Sequence, residues 1–223
     1  MELLPNFSLL RPRSIAEAVA ARAGSGEIHF LAGGTDLLPG LRRGLMQADT
    51  LIDLSDVAEL RGITVDSQGV RIGAGTTIAE LAAHPQVARD YVAVAEAAMA
   101  IAGPTHRAVG TVGGNLCVDT RCRYYNQSEP WRTANHFCMK LAGDMCRVAP
   151  KSDRCYAAYS GDLAPALMVH GAVADIIGPG GLRHTPLAEI FTDDGIAYLT
   201  LAPGELLVAV RVPSAPTWRS GYE

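Results

Sequence analysis

Four cysteines, Cys122, Cys138, Cys146 and Cys155, fall within one short stretch of a 223-residue chain whose only other cysteine is Cys117. Their spacing contains no C-x2-C pair, which zinc ribbons and bacterial ferredoxin loops both use. Four thiolates on one loop can bind a tetrahedral zinc ion or an iron–sulfur cube, and the spacing does not decide between them. Four unrelated buried thiols are a third interpretation, because a free cysteine packs as a small apolar residue.

The residues between these cysteines are polar and basic. The stretch "RYYNQSEPWRTANH" has little apolar surface to form a core, so metal ligation would offset the entropy cost of ordering a long loop. Residues 121–155 include seven Lys or Arg and three acidic side chains, whereas the net charge of the whole chain is −4. Such a basic segment would attract an acidic partner; a merely solvated loop surface is the alternative.

Two glycine pairs form the second candidate site. The motifs are "AGGTD" (Ala32–Asp36) and "TVGGN" (Thr111–Asn115), and each is interpreted as an apolar strand, two glycines and a small polar residue. Paired glycines allow a ligand to approach the backbone and can turn N–H groups toward an anion. Neither motif is the G-x-G-x-x-G fingerprint or a P-loop, and a tight turn is the competing interpretation of each. One loop from each lobe would clamp a pyrophosphate.

The predicted elements place these motifs in two lobes. The first lobe combines a capped helix, two strands and an intervening helical segment in a small parallel βαβ layer: residues 14–22, 28–32, 37–44 and 50–55. The second lobe is mixed and mostly antiparallel, with a hairpin turning at "DSQG", a helix capped by Thr77 and Glu80, an Ala-rich helix at 90–103, a short helix at 161–171 and strands at "AVADIIGP" and 205–213. The predicted fold class is α+β.

Composition excludes several classes of protein. Apolar residues make up 48% of the chain and charged residues 19%, which is ordinary for a folded soluble domain. The acidic net charge gives no reason to expect nucleic acid. No secretory signal or membrane-spanning stretch is recognisable, so we expect a reducing cytoplasm, where clustered thiols bind metal more often than they form disulfides.

Four motifs together resemble one family: "FLAGGTDLLPGLRRG", "RIGAGTT", "GPTHRAVGTVGGNLC" and "GDLAPAL". In this order they are similar to the FAD-binding subunit of the molybdenum hydroxylase (xanthine oxidase) family. The resemblance implies a two-lobed FAD-binding domain of the p-cresol methylhydroxylase/vanillyl-alcohol oxidase type. Expected bounds are 1–55 for the N-terminal lobe and 56–216 for the second lobe, with an insertion at about 120–157.

The resemblance also implies roles for individual residues. Gly33, Gly34, Thr35 and Asp36 would cradle the FAD pyrophosphate, with Leu31, Ala32 and Leu37 beside them. The second lobe would contribute Thr111, Gly113, Gly114 and Asn115 to the pyrophosphate, Ile101 and Ala102 to the cleft wall, Asp162 to the polyol or ribose, and Leu206 to an apolar contact. Without the resemblance, a helix N-cap explains Asp162 equally well, and strand core explains Leu206 better.

The cysteine insertion is similar to that of the β subunits of 4-hydroxybenzoyl-CoA reductases, which other members of the family lack. The similarity implies that Cys122, Cys138, Cys146 and Cys155 bind a 4Fe–4S cluster. Cys117 is expected to be a buried thiol near the flavin. No acid, base or nucleophile is predicted on this oxidoreductase subunit, since the substrate chemistry would occur at a molybdenum cofactor elsewhere.

The implied partners are a large molybdopterin-binding subunit, a small subunit with 2Fe–2S clusters and a ferredoxin-like electron donor, in a heterotrimer. Electrons would pass from the donor through the 4Fe–4S cluster and FAD to remove the phenolic hydroxyl of an aromatic acyl-CoA. Relatives usually continue into a further small C-terminal domain, which we expect this chain to lack, and we expect Trp218 and Tyr222 to be exposed. The alternatives are an oxidative molybdenum hydroxylase subunit, a zinc-stabilised nucleotide-binding module and a scaffold without cofactor.

Overall fold

The computed structural model describes residues 3–214 and 219–223. Its strands are β1 (Ser8–Leu10), β2 (Ile28–Leu31), β3 (Thr50–Asp53), β4 (Ile63–Asp66), β5 (Gly69–Gly73), β6 (Val173–Gly178), β7 (Gly181–Pro186) and β8 (Leu206–Pro213). Its α-helices are α1 (Ile15–Arg22), α2 (Leu37–Arg42), α3 (Ile78–Ala83), α4 (Pro85–Asp90), α5 (Val92–Ala100), α6 (Pro104–Arg107), α7 (Val112–Leu116), α8 (Glu129–Ala134) and α9 (Leu163–Met168). Short 3₁₀ turns follow at Ala58–Leu60 and Leu187–Ile190.

The first sheet is parallel, with strand order β1-β3-β2. The Ser14 hydroxyl accepts a hydrogen bond from the Glu17 N–H at 3.2 Å and so caps α1, as predicted. The parallel pairing of β2 with β3, which α2 connects, confirms the predicted parallel βαβ layer. Strand β1 was not predicted, because its three residues are exposed and show no alternation.

The second sheet is antiparallel, with strand order β4-β5-β8-β6-β7. The hairpin β4–β5 and the central strand β8 match the prediction. Strand β7 was missed because its sequence, "GLRHTP", is largely polar and exposed at the sheet edge. A mixed α+β fold is thus confirmed, and we retain the lobe bounds 1–55 and 56–216 as a proposal that follows the two sheets.

The antiparallel sheet has a different neighbour on each face. Helices α3, α5, α7 and α9 cover one face, where the largest buried apolar cluster of the described residues lies. On the other face, Leu206 and Val208 of β8 pack with Ala18, Ile28 and Ile52 of the first lobe. Alternate residues of β8 therefore join the two lobes, which places the ends of both sheets around a common cleft.

The cysteine segment, residues 120–157, leaves this framework and returns to it. Arg121 and Ala158 exchange backbone hydrogen bonds of 2.8 Å, so a single antiparallel bridge closes the base of the segment. Within it, α8 is the one helix that the structure describes. Most of the loop is therefore held by side chains rather than by regular backbone pairing.

Three local predictions differ from the structure. The Ala-rich helix begins at Val92 rather than Asp90 and ends at Ala100, before Gly103–Pro104. "TVGGN" is not a strand followed by a loop, because Thr111 is the N-cap of α7. Tyr222 is half-buried and its hydroxyl donates to Asp162, whereas Trp218 lies outside the described residues. No helix within the described part of the chain is long and apolar enough to cross a membrane.

Candidate cofactor cleft and cysteine cavity

A cleft of about 960 Å³ lies between the two lobes. The loop between β2 and α2 forms one wall, and the first turn of α7 and the segment leading into β8 form others. Small-molecule and cofactor sites commonly occupy roughly 300–1,000 Å³ and lie at such lobe boundaries. The cleft is therefore large enough for an extended cofactor.

The first glycine loop has unpaired backbone amides, and all of its residues from 33 to 37 except Gly34 line this cleft. The backbone N–H groups of residues 33–37 donate no hydrogen bond to any described residue. Gly34 has φ +69°, a conformation that favours glycine. At Gly33 a Cβ would lie 2.1 Å from the carbonyl oxygen of Val109, so the two lobes approach each other closely here. Unpaired amides at the start of α2 are suited to an anion.

The second glycine loop is built differently. The Thr111 hydroxyl caps α7, and the N–H groups of residues 112–114 donate to the Thr76 and Ala74 carbonyls and to that hydroxyl, at 2.8–3.1 Å. The expectation that this pair turns free N–H groups toward an anion is therefore wrong. A Cβ on Gly114 would meet only the Thr111 hydroxyl, at 3.1 Å. Gly114 therefore supplies a bare surface rather than a free donor, whereas a Cβ on Gly113 would lie 2.8 Å from the Cβ of Ala74.

The structure brings most of the predicted cofactor residues together. Those lining the cleft are Ala32, Gly33, Thr35, Asp36, Leu37, Ile101, Ala102, Thr111, Gly113, Gly114, Asn115 and Leu206. Leu31 packs instead in the core of the first lobe, and Gly34 does not line the cleft. Asp162 does not line the cleft, and its carboxylate accepts a hydrogen bond from the Tyr222 hydroxyl at 3.2 Å. Asp162 does precede α9, but its side chain makes no capping hydrogen bond.

Arg107 holds one wall of the cleft in place. Its guanidinium donates to the carbonyl oxygens of Met99, Ile101 and Ala102 at 2.8–3.0 Å. Ala102 has φ +43°, which is a strained conformation for an alanine. The guanidinium therefore stabilises the turn that carries Ile101 and Ala102. The sequence contained no signal for this role, because it depends on the path of the backbone.

A chain of charged groups joins the lobes beside the cleft. Asp36 of the first lobe forms an ion pair with Arg121, whose guanidinium also donates to Asp119 at 2.8 Å. Asp119 in turn accepts from Lys140 at 2.7 Å and from the Tyr125 hydroxyl at 3.2 Å. The carboxylate of Asp36 is thus engaged by a cation, and its backbone N–H is the group that remains for an anion.

The four clustered cysteines line a second, narrow cavity. Cys122, Cys138, Cys146 and Cys155 all contact it, and all four are free thiols. Cys117 lies elsewhere, on the wall of the cleft, where burial raises the pKa of its thiol to about 12. The structure therefore separates the cysteines into four that share one cavity and one that faces the predicted flavin site.

Backbone amides and other thiols surround the sulfur atoms. Burial acts to raise the pKa of Cys146, but hydrogen bonds from the backbone at Ala149, Tyr156 and Val148 outweigh it and lower that pKa. Burial raises the pKa of Cys155, although the Ala157 N–H, 3.4 Å from its sulfur, opposes this. N–H donors to sulfur favour the thiolate form that binds metal.

A single metal ion places a strict requirement on the donors around it. Structural zinc takes four closely placed donors. Among the residues that the structure describes, no group of three or more His, Cys, Asp or Glu side chains could hold one metal ion. The four thiols that border this cavity are of the ligand type that both zinc and iron–sulfur clusters use.

Several basic residues of this segment point inward. Arg132 is 2% exposed and donates to the carbonyls of Gln127, Arg43 and Gly44, and the Lys140 side chain is 7% exposed. Arg123 and Lys151 are exposed. The positive charge available to a docking partner is therefore smaller than the sequence count indicates.

Comparison with known proteins yields one family. Residues 5–215 match the model of the FAD binding domain in molybdopterin dehydrogenase. The aldehyde oxidoreductase FAD-binding subunit PaoB of Escherichia coli is 33% identical over 93% of this chain and 68% of its own length. The carbon monoxide dehydrogenase medium chain of Afipia carboxidovorans is 33% identical over 95% of this chain and 60% of its own length.

The fold has a counterpart among solved structures. A crystal structure of the Cu,Mo-CO dehydrogenase matches with a TM-score of 0.73 and 29% identity, over 96% of this chain and 62% of that one. The chain spans about three fifths to two thirds of the lengths of these relatives. The match thus covers nearly the whole of this chain and part of each relative.

Proposed function

The chain belongs to the family of FAD binding domains in molybdopterin dehydrogenases, and on this basis we propose that it is the FAD-carrying electron-transfer subunit of a molybdenum-dependent oxidoreductase. Its partners in this proposal are a large molybdopterin-binding subunit and a small 2Fe–2S subunit. The zinc-stabilised module without a redox role is not retained, because the relatives named above are oxidoreductase subunits.

One observation carries the FAD proposal: the unpaired amides of residues 33–37 at the edge of the 960 Å³ cleft. These residues are half-buried or, at Thr35, exposed, so N–H groups without a protein partner at the edge of the cleft are available to an anionic ligand. We assign the FAD pyrophosphate to these amides and the bare face of Gly114 to its close approach. Ile101 and Leu206 would supply apolar contacts. When bound, FAD supplies the capacity to accept and release electrons.

The test is flavin content. Purified protein, reconstituted with FAD where necessary, should show flavin absorbance and release about one FAD per chain. A chain that stays colourless after reconstitution would refute the proposal. Matched Gly114→Leu and Gly180→Leu variants locate the site, because Gly180 has no atom within 4 Å of an added Cβ and does not line the cleft. Only the first should lose the flavin.

For the cysteine cavity we propose a 4Fe–4S cluster held by Cys122, Cys138, Cys146 and Cys155. The support is their shared cavity and the N–H donors to the sulfurs of Cys146 and Cys155. A bound cluster supplies one-electron transfer at a potential set by its surroundings. Cluster binding would also stabilise a loop with little regular backbone pairing.

Iron analysis tests the cluster independently of FAD. Anaerobically purified protein should contain about four iron and four sulfide per chain. Cys→Ser replacement at any of the four cavity cysteines should reduce the iron content, whereas Cys117→Ser is the matched control and should retain it. Zinc in place of iron, or equal iron loss in the control, would contradict the ligand assignment.

The finer proposal for the complex is a 4-hydroxybenzoyl-CoA reductase-like reaction with electrons entering through this chain. The phenolic C–O bond would be replaced by C–H, with two electrons and two protons consumed and water released. A second candidate is an oxidative hydroxylase subunit that passes electrons outward, and it is favoured by the aldehyde oxidoreductase and carbon monoxide dehydrogenase names of the relatives. The cysteine cavity favours the first candidate.

Assays of the assembled complex separate the two candidates. The reductive candidate requires loss of the hydroxyl from 4-hydroxybenzoyl-CoA with a reduced ferredoxin-type donor. The oxidative candidate requires oxidation of an aldehyde, a purine or carbon monoxide with an artificial acceptor. Exposed Arg123 and Lys151 are the side chains that we propose attract an acidic donor, in which case the association rate falls as ionic strength rises.

A further inference from the structure

The cleft and the cysteine cavity share a wall. Two residues, Tyr125 and Lys140, line both spaces. Tyr125 is 3% exposed, and the Lys140 side chain is 7% exposed. Side chains from a single layer of residues therefore separate the proposed flavin site from the proposed cluster site.

The ammonium group of Lys140 is fixed within this wall. It donates to Asp119 Oδ1 at 2.7 Å, to Thr120 Oγ1 at 2.6 Å and to the Gly195 carbonyl oxygen at 2.6 Å. These three acceptors match its three donors. The nitrogen also lies 5.0 Å from the ring centre of Tyr125 and 5.5 Å from that of Tyr198, within cation–π range. The positive charge consequently has a defined position and little access to water.

The neighbouring charges do not remove the effect of this position. Lys140 and Arg121 face Asp119 and Asp36, so the four groups are together neutral. Asp36 and Asp119 line the cleft but not the cysteine cavity, and Arg121 lines neither space. Lys140 is therefore the charged member of this group that contacts both cavities. A charge in a poorly hydrated wall acts more strongly on nearby groups than one in water.

We propose that Lys140 sets the reduction potentials of both the flavin and the cluster from the wall between them. The proposal rests on the proposed function above. Reduction adds negative charge to either group, and a fixed cation nearby stabilises the reduced form. Lys140 should accordingly raise both potentials, and Asp119 should lower them.

The experiment measures potentials, not activity. In the flavin- and iron-loaded protein, Lys140→Met should shift the flavin midpoint and the cluster midpoint to more negative values. We expect about a tenfold change in each reduced-to-oxidised equilibrium, which is ~59 mV for a one-electron step. Asp119→Asn should shift both in the positive direction. Lys151→Met removes an equal charge from an exposed position in the same segment and should change neither potential.

The outcomes are distinguishable. Wild-type protein without flavin or iron would refute the proposed function. Wild-type and variant proteins with full flavin and iron but unchanged potentials would overturn the role of Lys140, as would a shift in one group alone. If Lys140→Met does not fold, the Lys140→Arg variant keeps the charge and should keep both potentials, and the opposite shift of Asp119→Asn remains measurable.

Discussion

Replacing Gly114 by alanine should separate the stability of the protein from its affinity for FAD. Gly114 lies inside α7, and an added Cβ would meet the Thr111 hydroxyl at 3.1 Å and no other atom outside the helix backbone. The same methyl group would project from the bare surface that lines the cleft. The substitution therefore changes the site without filling any space in the core.

The two effects have opposite signs. Alanine is more favourable than glycine in a helix interior by about 0.5–1 kcal/mol. The tight contact with Thr111 offsets part of this, so the apoprotein should be as stable as wild type or up to ~1 kcal/mol more stable. In the complex, the methyl group displaces the pyrophosphate, and loss of one hydrogen bond to a charged group costs about 1.5–3 kcal/mol. This corresponds to a Kd that is roughly 10- to 150-fold higher.

Denaturant unfolding of the apoprotein and fluorescence titration with FAD measure the two quantities separately. Gly103→Ala is the matched control, because an added Cβ there meets no atom within 4 Å and Gly103 does not line the cleft; it should leave FAD affinity unchanged. In contrast, Gly33→Ala places a Cβ 2.1 Å from the Val109 carbonyl oxygen and should destabilise even the apoprotein, by about 1–3 kcal/mol. Wild-type FAD affinity in Gly114→Ala would refute the placement of the cofactor against this face.

Three further predictions concern residues around the two sites. Arg107→Ala should release the strained turn at Ala102 and weaken FAD binding at least tenfold in a fluorescence titration. Arg107→Lys should recover only part of the affinity, because a lysine can reach fewer of the carbonyls. Arg132→Met should lower the free energy of unfolding by about 2–4 kcal/mol in chemical denaturation, since buried carbonyl groups lose charged donors; an unchanged midpoint would contradict this. Hydrogen bonds from the Thr77 backbone and hydroxyl lower the pKa of Glu80 below 4.5, so its stabilisation is present above that pH and is lost as the pH falls through the lowered value; Glu80→Gln should therefore flatten the acid limb of a stability–pH curve.

The sequence was sufficient for the features that depend on local patterns. The caps at Ser14 and Thr77, the hairpin turning at Asp66–Gly69 and the parallel βαβ layer all follow from short-range turn and capping chemistry. Strands β1 and β7 were missed because they are exposed and do not alternate between apolar and polar residues. Their pairing comes from neighbouring strands that are distant in the chain.

The glycine motifs show what local sequence patterns cannot predict. Both contain Gly-Gly, yet the amides of residues 33–37 are unpaired and those of 112–114 are satisfied by the protein itself. The difference depends on the carbonyls of Thr76 and Ala74, which only the tertiary fold brings to the start of α7. A dipeptide cannot encode which backbone groups will face it.

The same distinction applies to the chemistry. By itself the sequence determined that four cysteines are clustered, that the chain carries two Gly-Gly motifs of similar pattern, and that the segment between the cysteines is basic. Only the tertiary structure decided that the four thiols share a cavity, that Cys117 is on the other side of a wall, and that Lys140 lies in that wall with its charge buried. The physical reason is that spacing along the chain fixes separations of a few residues, whereas burial and contact between distant segments depend on how the lobes pack.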